Sequence, residues 1–140
     1  MRLVLDTNTL ISGSLWSGKP AQLLDEISSG KAELITSLDI IAEYEGVLNR
    51  QKFLQRLKQA GITPSELARR LEELATICCP KTITEVEGLR DPTDKMIIEC
   101  ALEAKVDAIV SGDEDLLILK VVQSIPIYST EIALQKISGI

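Results

Sequence analysis

Residues Asp91–Leu117 read DPTDKMIIECALEAKVDAIVSGDEDLL, and the fold follows from how this run changes its pattern. Asp91 suits the cap of a helix, Pro92 suits its first position, and Asp94 falls three residues after the cap. The run Asp107-Ala108-Ile109-Val110 is a short buried strand that stops at Ser111-Gly112, and Asp113, Glu114 and Asp115 follow at once. At the carboxyl end of a strand in an α/β sheet, a carboxylate points into the crevice where such sheets bind ligands.

The amino terminus supplies a matching piece. Leu3-Val4-Leu5 is a continuous apolar run, as expected for a central parallel strand covered on both faces, and it ends in the polar turn Asp6-Thr7-Asn8-Thr9. Two strands of one sheet, each ending in Asp, would bring Asp6 and Asp113 together.

Between these pieces the chain alternates. A short helical turn follows the first strand, and Gly18-Lys19-Pro20 opens a helix from Ala21 to about Ser28, closed by Gly30. Glu33–Thr36 is a strand, and Ser37 caps a helix with Leu38, Ile41, Tyr44, Val47 and Leu48 at helical spacing. Residues 50–60 continue it as a basic helix that Gly61 breaks. Thr63-Pro64-Ser65-Glu66 is a capping box starting a helix to about Ile77, with a strand over Cys78–Thr82 and a polar connection over 84–90 behind it. Ile125–Tyr128 reads as a last edge strand, and Ser129 caps a final helix. This alternation predicts one domain over residues 1–140, an α/β fold built as a three-layer α/β/α sandwich around a central, mostly parallel sheet.

Composition narrows the chemistry. A hydrophobic content of 45% with 26% charged residues is that of a soluble globular chain, and aromatics at 3% do not support a stacking platform for single-stranded nucleic acid, which needs several. No apolar run approaches the roughly 20 residues of a membrane span. The first residues lack the pattern of a signal peptide, so a cytoplasmic location is expected. Cys78, Cys79 and Cys100 read as buried or inert thiols. Histidine is absent, which removes Ser-His-Asp and Cys-His nucleophiles and every His-bearing zinc site. A net charge of −6 argues against broad adhesion to nucleic acid and leaves room for a local basic patch.

The chemistry therefore rests on carboxylates. Asp6 fits two roles, cap of the helix behind it or ligand. For Asp94, helical phase places Ile97, Ile98 and Ala101 on its own face and Lys95, Glu99 and Glu103 on the opposite one, so its carboxylate leans towards the sheet. Asp113 is nearer the strand end than Asp115. Glu43 and Glu45 both flank the apolar stripe of their helix, and periodicity does not choose between them. Two unit charges about 4 Å apart repel by roughly 4 kcal/mol at an effective dielectric of 20, so a cluster of such acids holds either protons or cations. Oxygen ligands without His or Cys suit Mg²⁺ or Mn²⁺, and metal-assisted phosphodiester hydrolysis needs no side-chain nucleophile.

Four segments in this order and spacing, LVLDTNTLISG, SLDIIAEYEGVL, DPTDKMIIECAL and IVSGDEDLL, resemble the PIN-domain family over essentially the full length, and in particular its toxin-component ribonuclease group. The resemblance implies catalytic and metal-binding roles for Asp6, Glu43, Asp94 and Asp113, and it selects Glu43 over Glu45. It implies supporting roles behind the ligands for Asn8 and Ser111, with Asp91 and Asp115 as caps or peripheral groups. Lys95 departs from the pattern, standing where relatives often carry Asn or Asp. The implied activity is an Mg²⁺- or Mn²⁺-dependent endoribonuclease, with RNA as substrate, a small antitoxin as partner and a homodimer as assembly. Arg50, Lys52, Arg56 and Lys58 fit RNA phosphates beside the acidic crevice, and equally an ordinary solvated helix face.

Other readings fare worse. A phosphoacceptor receiver domain wants paired acids after the first strand, and a haloacid-dehalogenase-type phosphatase wants Asp-x-Asp there; Asn8 stands in the way of both. A PIN-fold module that binds RNA or protein without cutting is the nearer rival.

Overall fold

In the computed structural model, residues 1–80 and 92–139 are described. Six strands form one sheet in the order β3-β2-β1-β4-β6-β5. The strands are β1 (Arg2–Leu5), β2 (Glu33–Ser37), β3 (Thr76–Cys78), β4 (Ala108–Val110), β5 (Val121–Val122) and β6 (Ile125–Tyr128). All neighbouring pairs run parallel except β5 with β6. The helices are α1 (Thr7–Leu15), α2 (Lys19–Ser28), α3 (Leu38–Leu48), α4 (Gln51–Ala60), α5 (Pro64–Leu74), α6 (Pro92–Ala104), α7 (Glu114–Leu117) and α8 (Thr130–Ile137). They flank the sheet as an α/β/α sandwich, as the sequence predicts.

The order of strands positions the site. From β1 the chain adds β2 and then β3 to one side, whereas β4 and β6 lie on the other. Strand order therefore reverses between β1 and β4, the place where open α/β sheets hold ligands. Right-handed crossovers in opposite directions put α2 and α6 on opposite faces. Both central strands are covered on both faces: Leu3, Val4, Ala108, Ile109 and Val110 are wholly buried. Burying a side chain of this kind contributes about 1.5–3 kcal/mol, so these short strands are fixed by packing more than by intrinsic preference.

Local signals explain most boundaries. Asp6, Ser37, Thr63 and Ser129 each accept a backbone N–H in the first turn of the helix they cap. Gly30 and Gly61 adopt left-handed φ of 85° and 70° where α2 and α4 end. The cap expected at Asp91 lies outside the described residues, as do Thr82 and the connection over 84–90.

Four expectations need correction. The segment after β1 is a nine-residue helix, longer than a turn. Residues 50–60 do not continue α3: Arg50 is extended at φ −68°, ψ 145°, and α4 starts afresh behind it. The helix expected to reach Ile77 stops at Leu74, because Thr76–Cys78 are taken as β3 by the ladder to Ile35, Thr36 and Ser37. Here tertiary pairing overrides local propensity. Ile125–Tyr128 is a strand but not an edge. It is sandwiched between β4 and the two-residue β5, which turns back through Gln123 and Ser124 at φ 45° and 74°. Two positive φ values in a two-residue hairpin loop usually signal Asn-Gly or Asp-Gly, and this loop has neither.

Gly13 marks the closest approach of α1 to α2. A Cβ built there would meet Leu24 Cδ1 at 2.6 Å and the Pro20 carbonyl oxygen at 2.9 Å, and the second contact is backbone. Gly13→Ala should cost about 1–3 kcal/mol, read as a lower urea midpoint at unchanged slope. Stability should also fall in alkali. Burial raises Tyr44, against a lowering hydrogen bond from Ser14, raises Cys78, and pushes Cys100 from an ordinary 9.0 up to about 12. Each group holds its proton more tightly folded than unfolded. The contribution of Cys100 is intact below about pH 9 and is lost as pH climbs towards 12. Urea titrations at pH 8 and 10.5 should show the loss, and Cys100→Ala should reduce it.

Candidate active site

A cavity of about 340 Å³ opens at the carboxyl ends of β1 and β4. Four carboxylates line it, from four separate parts of the chain: Asp6 behind β1, Glu43 on α3, Asp94 in the first turn of α6, and Asp113 behind β4. Thr7, Asn8, Val47, Thr93 and Arg50 complete the wall. Two larger cavities, of about 700 Å³ each, lie one between α2 and α8 and one adjoining the acidic cavity. Volume does not distinguish the small one; its concentration of acids does.

Each acid arrives there for a local reason. Glu43 and Val47 are spaced i and i+4 on one face of α3, while Tyr44 and Leu48 go to the core, and Arg50 reaches the same wall from the extended position ahead of α4. Glu45, its rival, is not among the lining residues. Asp94 is buried at 6% exposure, in line with its phase on α6. Its neighbour Lys95 is half-buried and does not line the cavity.

Asp6 does two jobs at once. One carboxylate oxygen, Oδ1, caps α1 by accepting from the Thr9 N–H at 2.8 Å, and the other accepts from the Ser111 hydroxyl. The same Ser111 Oγ accepts from the Asp113 N–H at 2.9 Å. Ser111 is fully buried, and the ladder brings it opposite Asp6, whose N–H donates to the Val110 carbonyl at 3.0 Å. One hydroxyl thus ties the two strand-end aspartates together. Asp113 in turn caps α7, its Oδ1 accepting from the Asp115 N–H at 2.9 Å. Asp115 itself lines an adjoining cavity that shares Asn8 and Asp113 with the first.

The donor set fits a hard divalent cation. It is all oxygen, with no His in the chain and no Cys in the wall. Asp6 still has free lone pairs, since each carboxylate oxygen carries two and gives one to its hydrogen bond. The Thr7 hydroxyl, buried in this wall, has no hydrogen-bond partner among the described residues, a state it shares with Thr36 of β2, which lies away from it. Among the described residues no three acids already lie close enough together to form a ligand cage.

The basic residues separate. Arg50 lines the acidic cavity. Lys52 lies over the Phe53 ring at 4.8 Å. Arg56 donates through Nε and an Nη to the Leu15 carbonyl at 3.1 and 2.6 Å, satisfying an end of α1, and covers the Trp16 ring at 5.2 Å. Lys58 is exposed in the last turn of α4. Thr7 and Thr93 were given no role by the sequence, although each sits beside an acid of the site; adjacency at a strand end and in a helix's first turn is the signal that could have found them.

Comparison with known proteins agrees with this architecture. A family model described as PIN domain matches residues 2–115. A crystal structure of PAE2754 from Pyrobaculum aerophilum superposes over 100% of both chains with a TM-score of 0.67 at 16% identity, a likeness of fold. No curated protein matches the sequence.

Removing the tie tests the site's construction. Ser111→Ala strands one oxygen of a buried carboxylate and the Asp113 N–H, and should cost about 1–3 kcal/mol in urea unfolding. A change below a few tenths would mean that water replaces the hydroxyl at no loss.

Proposed function

The chain belongs to the PIN-domain family, whose members are generally nucleases, and from that premise we propose that it is an Mg²⁺- or Mn²⁺-dependent endoribonuclease hydrolysing RNA phosphodiester bonds. One observation carries the reading: four acids from four separate segments line a single small cavity. Such a cluster is costly unless a cation offsets it.

Asp6, Glu43, Asp94 and Asp113 would hold the ion, with Thr7 and Asn8 as further oxygen donors at its rim. A bound divalent ion supplies an activated water and stabilises the leaving oxygen in an in-line displacement. The chain's own part is orientation. Ser111 fixes the Asp6 carboxylate and the turn at Asp113, as outer-shell groups do for metal ligands. Arg50, on the same wall, offers the planar fork that suits a phosphate and would draw the substrate against the acids. As partners we propose a small antitoxin protein and a second copy of this chain.

With purified protein, a mixed RNA and Mn²⁺, cleavage should appear, vanish with chelator, and fall by roughly 100-fold or more in Asp6→Asn. Asn remains a good helix cap, so that loss would not reflect unfolding of α1. RNA left at full length at high protein concentration would favour a binding module instead.

A further inference from the structure

The residues beside the acidic cavity suggest how the strand is held, an inference that rests on the nuclease reading. Arg50–Ala60 carries Arg50, Lys52, Arg56 and Lys58 and not one acid, in a chain whose net charge is −6. Arg50 stands on the cavity wall, and α4 runs away from it. At about 1.5 Å per residue, Arg56 lies roughly 9 Å further along the axis. There it meets Trp16, the one tryptophan of the chain.

Trp16 is unusual. It sits in the link after α1, its ring meets Phe53 edge to face at 5.9 Å and 72°, and the Arg56 guanidinium lies over it at 5.2 Å. Arg56 is held in turn by its two bonds to the Leu15 carbonyl. The ring is therefore braced by its neighbours, yet Trp16 remains 45% exposed. An indole fixed in place by a cation, left open to solvent and flanked by further cations, suits a base stacked on the ring with phosphates along the helix. The low aromatic content rules out a row of such rings; a single anchor is compatible with it.

We propose that Trp16, with Lys52 and Arg56, forms a docking point for an unpaired base of the substrate. Bases in a duplex are already stacked on one another and would not reach the ring.

Because Trp16 is the sole tryptophan, its own emission reports the contact. Wild-type protein is titrated in EDTA, so that nothing is cut, with a labelled oligouridylate alone and the same strand annealed to oligoadenylate; anisotropy measures binding in parallel. Quenching by the single strand and little by the duplex is expected, with Trp16→Ala weakening single-strand binding about 10-fold and Trp16→Phe restoring most of it. A thermal melt of both variants separates lost stacking from lost folding. Binding seen by anisotropy with unchanged emission overturns the docking point, as do equal quenching by the duplex and the absence of any binding. The two readings fail separately. Mn²⁺-dependent cleavage with a silent Trp16 leaves the nuclease and removes the docking point. Quenching without cleavage leaves the docking point on a protein that does not cut.

Discussion

The Ser111 hydroxyl is the point on which the site turns. It donates a hydrogen bond to Asp6 and accepts one from the Asp113 backbone N–H, so the ends of two adjacent strands become one unit. Carboxylates gathered at one wall repel one another. What holds them is the sheet beneath, where Leu5 and Val110 stand in register and the strands are wholly enclosed. The rigidity is borrowed from the core and spent at the rim.

This division explains why the chemistry can be so sparse. There is no histidine to activate a serine or cysteine nucleophile. An assembly of carboxylates needs only to be held in place, and the reversal of strand order between β1 and β4 opens the space between them. Arg50 adds the opposite sign at the same wall, made possible by the extended residue that separates α3 from α4.

Much of this was legible in the sequence, for identifiable reasons. Leu3–Leu5 and Ala108–Val110 announce buried parallel strands because both faces must be apolar. Capping residues mark helix starts because orphan N–H groups need acceptors nearby. The phase of Asp94 on α6 follows from helix geometry. Choosing Glu43 over Glu45 did not follow from phase, since both flank one stripe; it came from resemblance. What escaped reading was non-local. The end of α5 at Leu74 is decided by a ladder to β2, adjacent in space but far back in the sequence, and the hairpin at Gln123-Ser124 carries none of the residues that usually mark positive φ. Arg56 looked like a member of a basic face and is chiefly a clamp on the end of α1.

The short β5 has a consequence for the molecule's life in a crowded solution. An uncovered β6 would offer a four-residue row of backbone donors and acceptors to any passing chain. Folding back two residues onto it leaves an outer rung too brief to template growth. Sheet-to-sheet polymerisation is discouraged on that flank by a turn that costs the chain two strained residues and no extra element of any size.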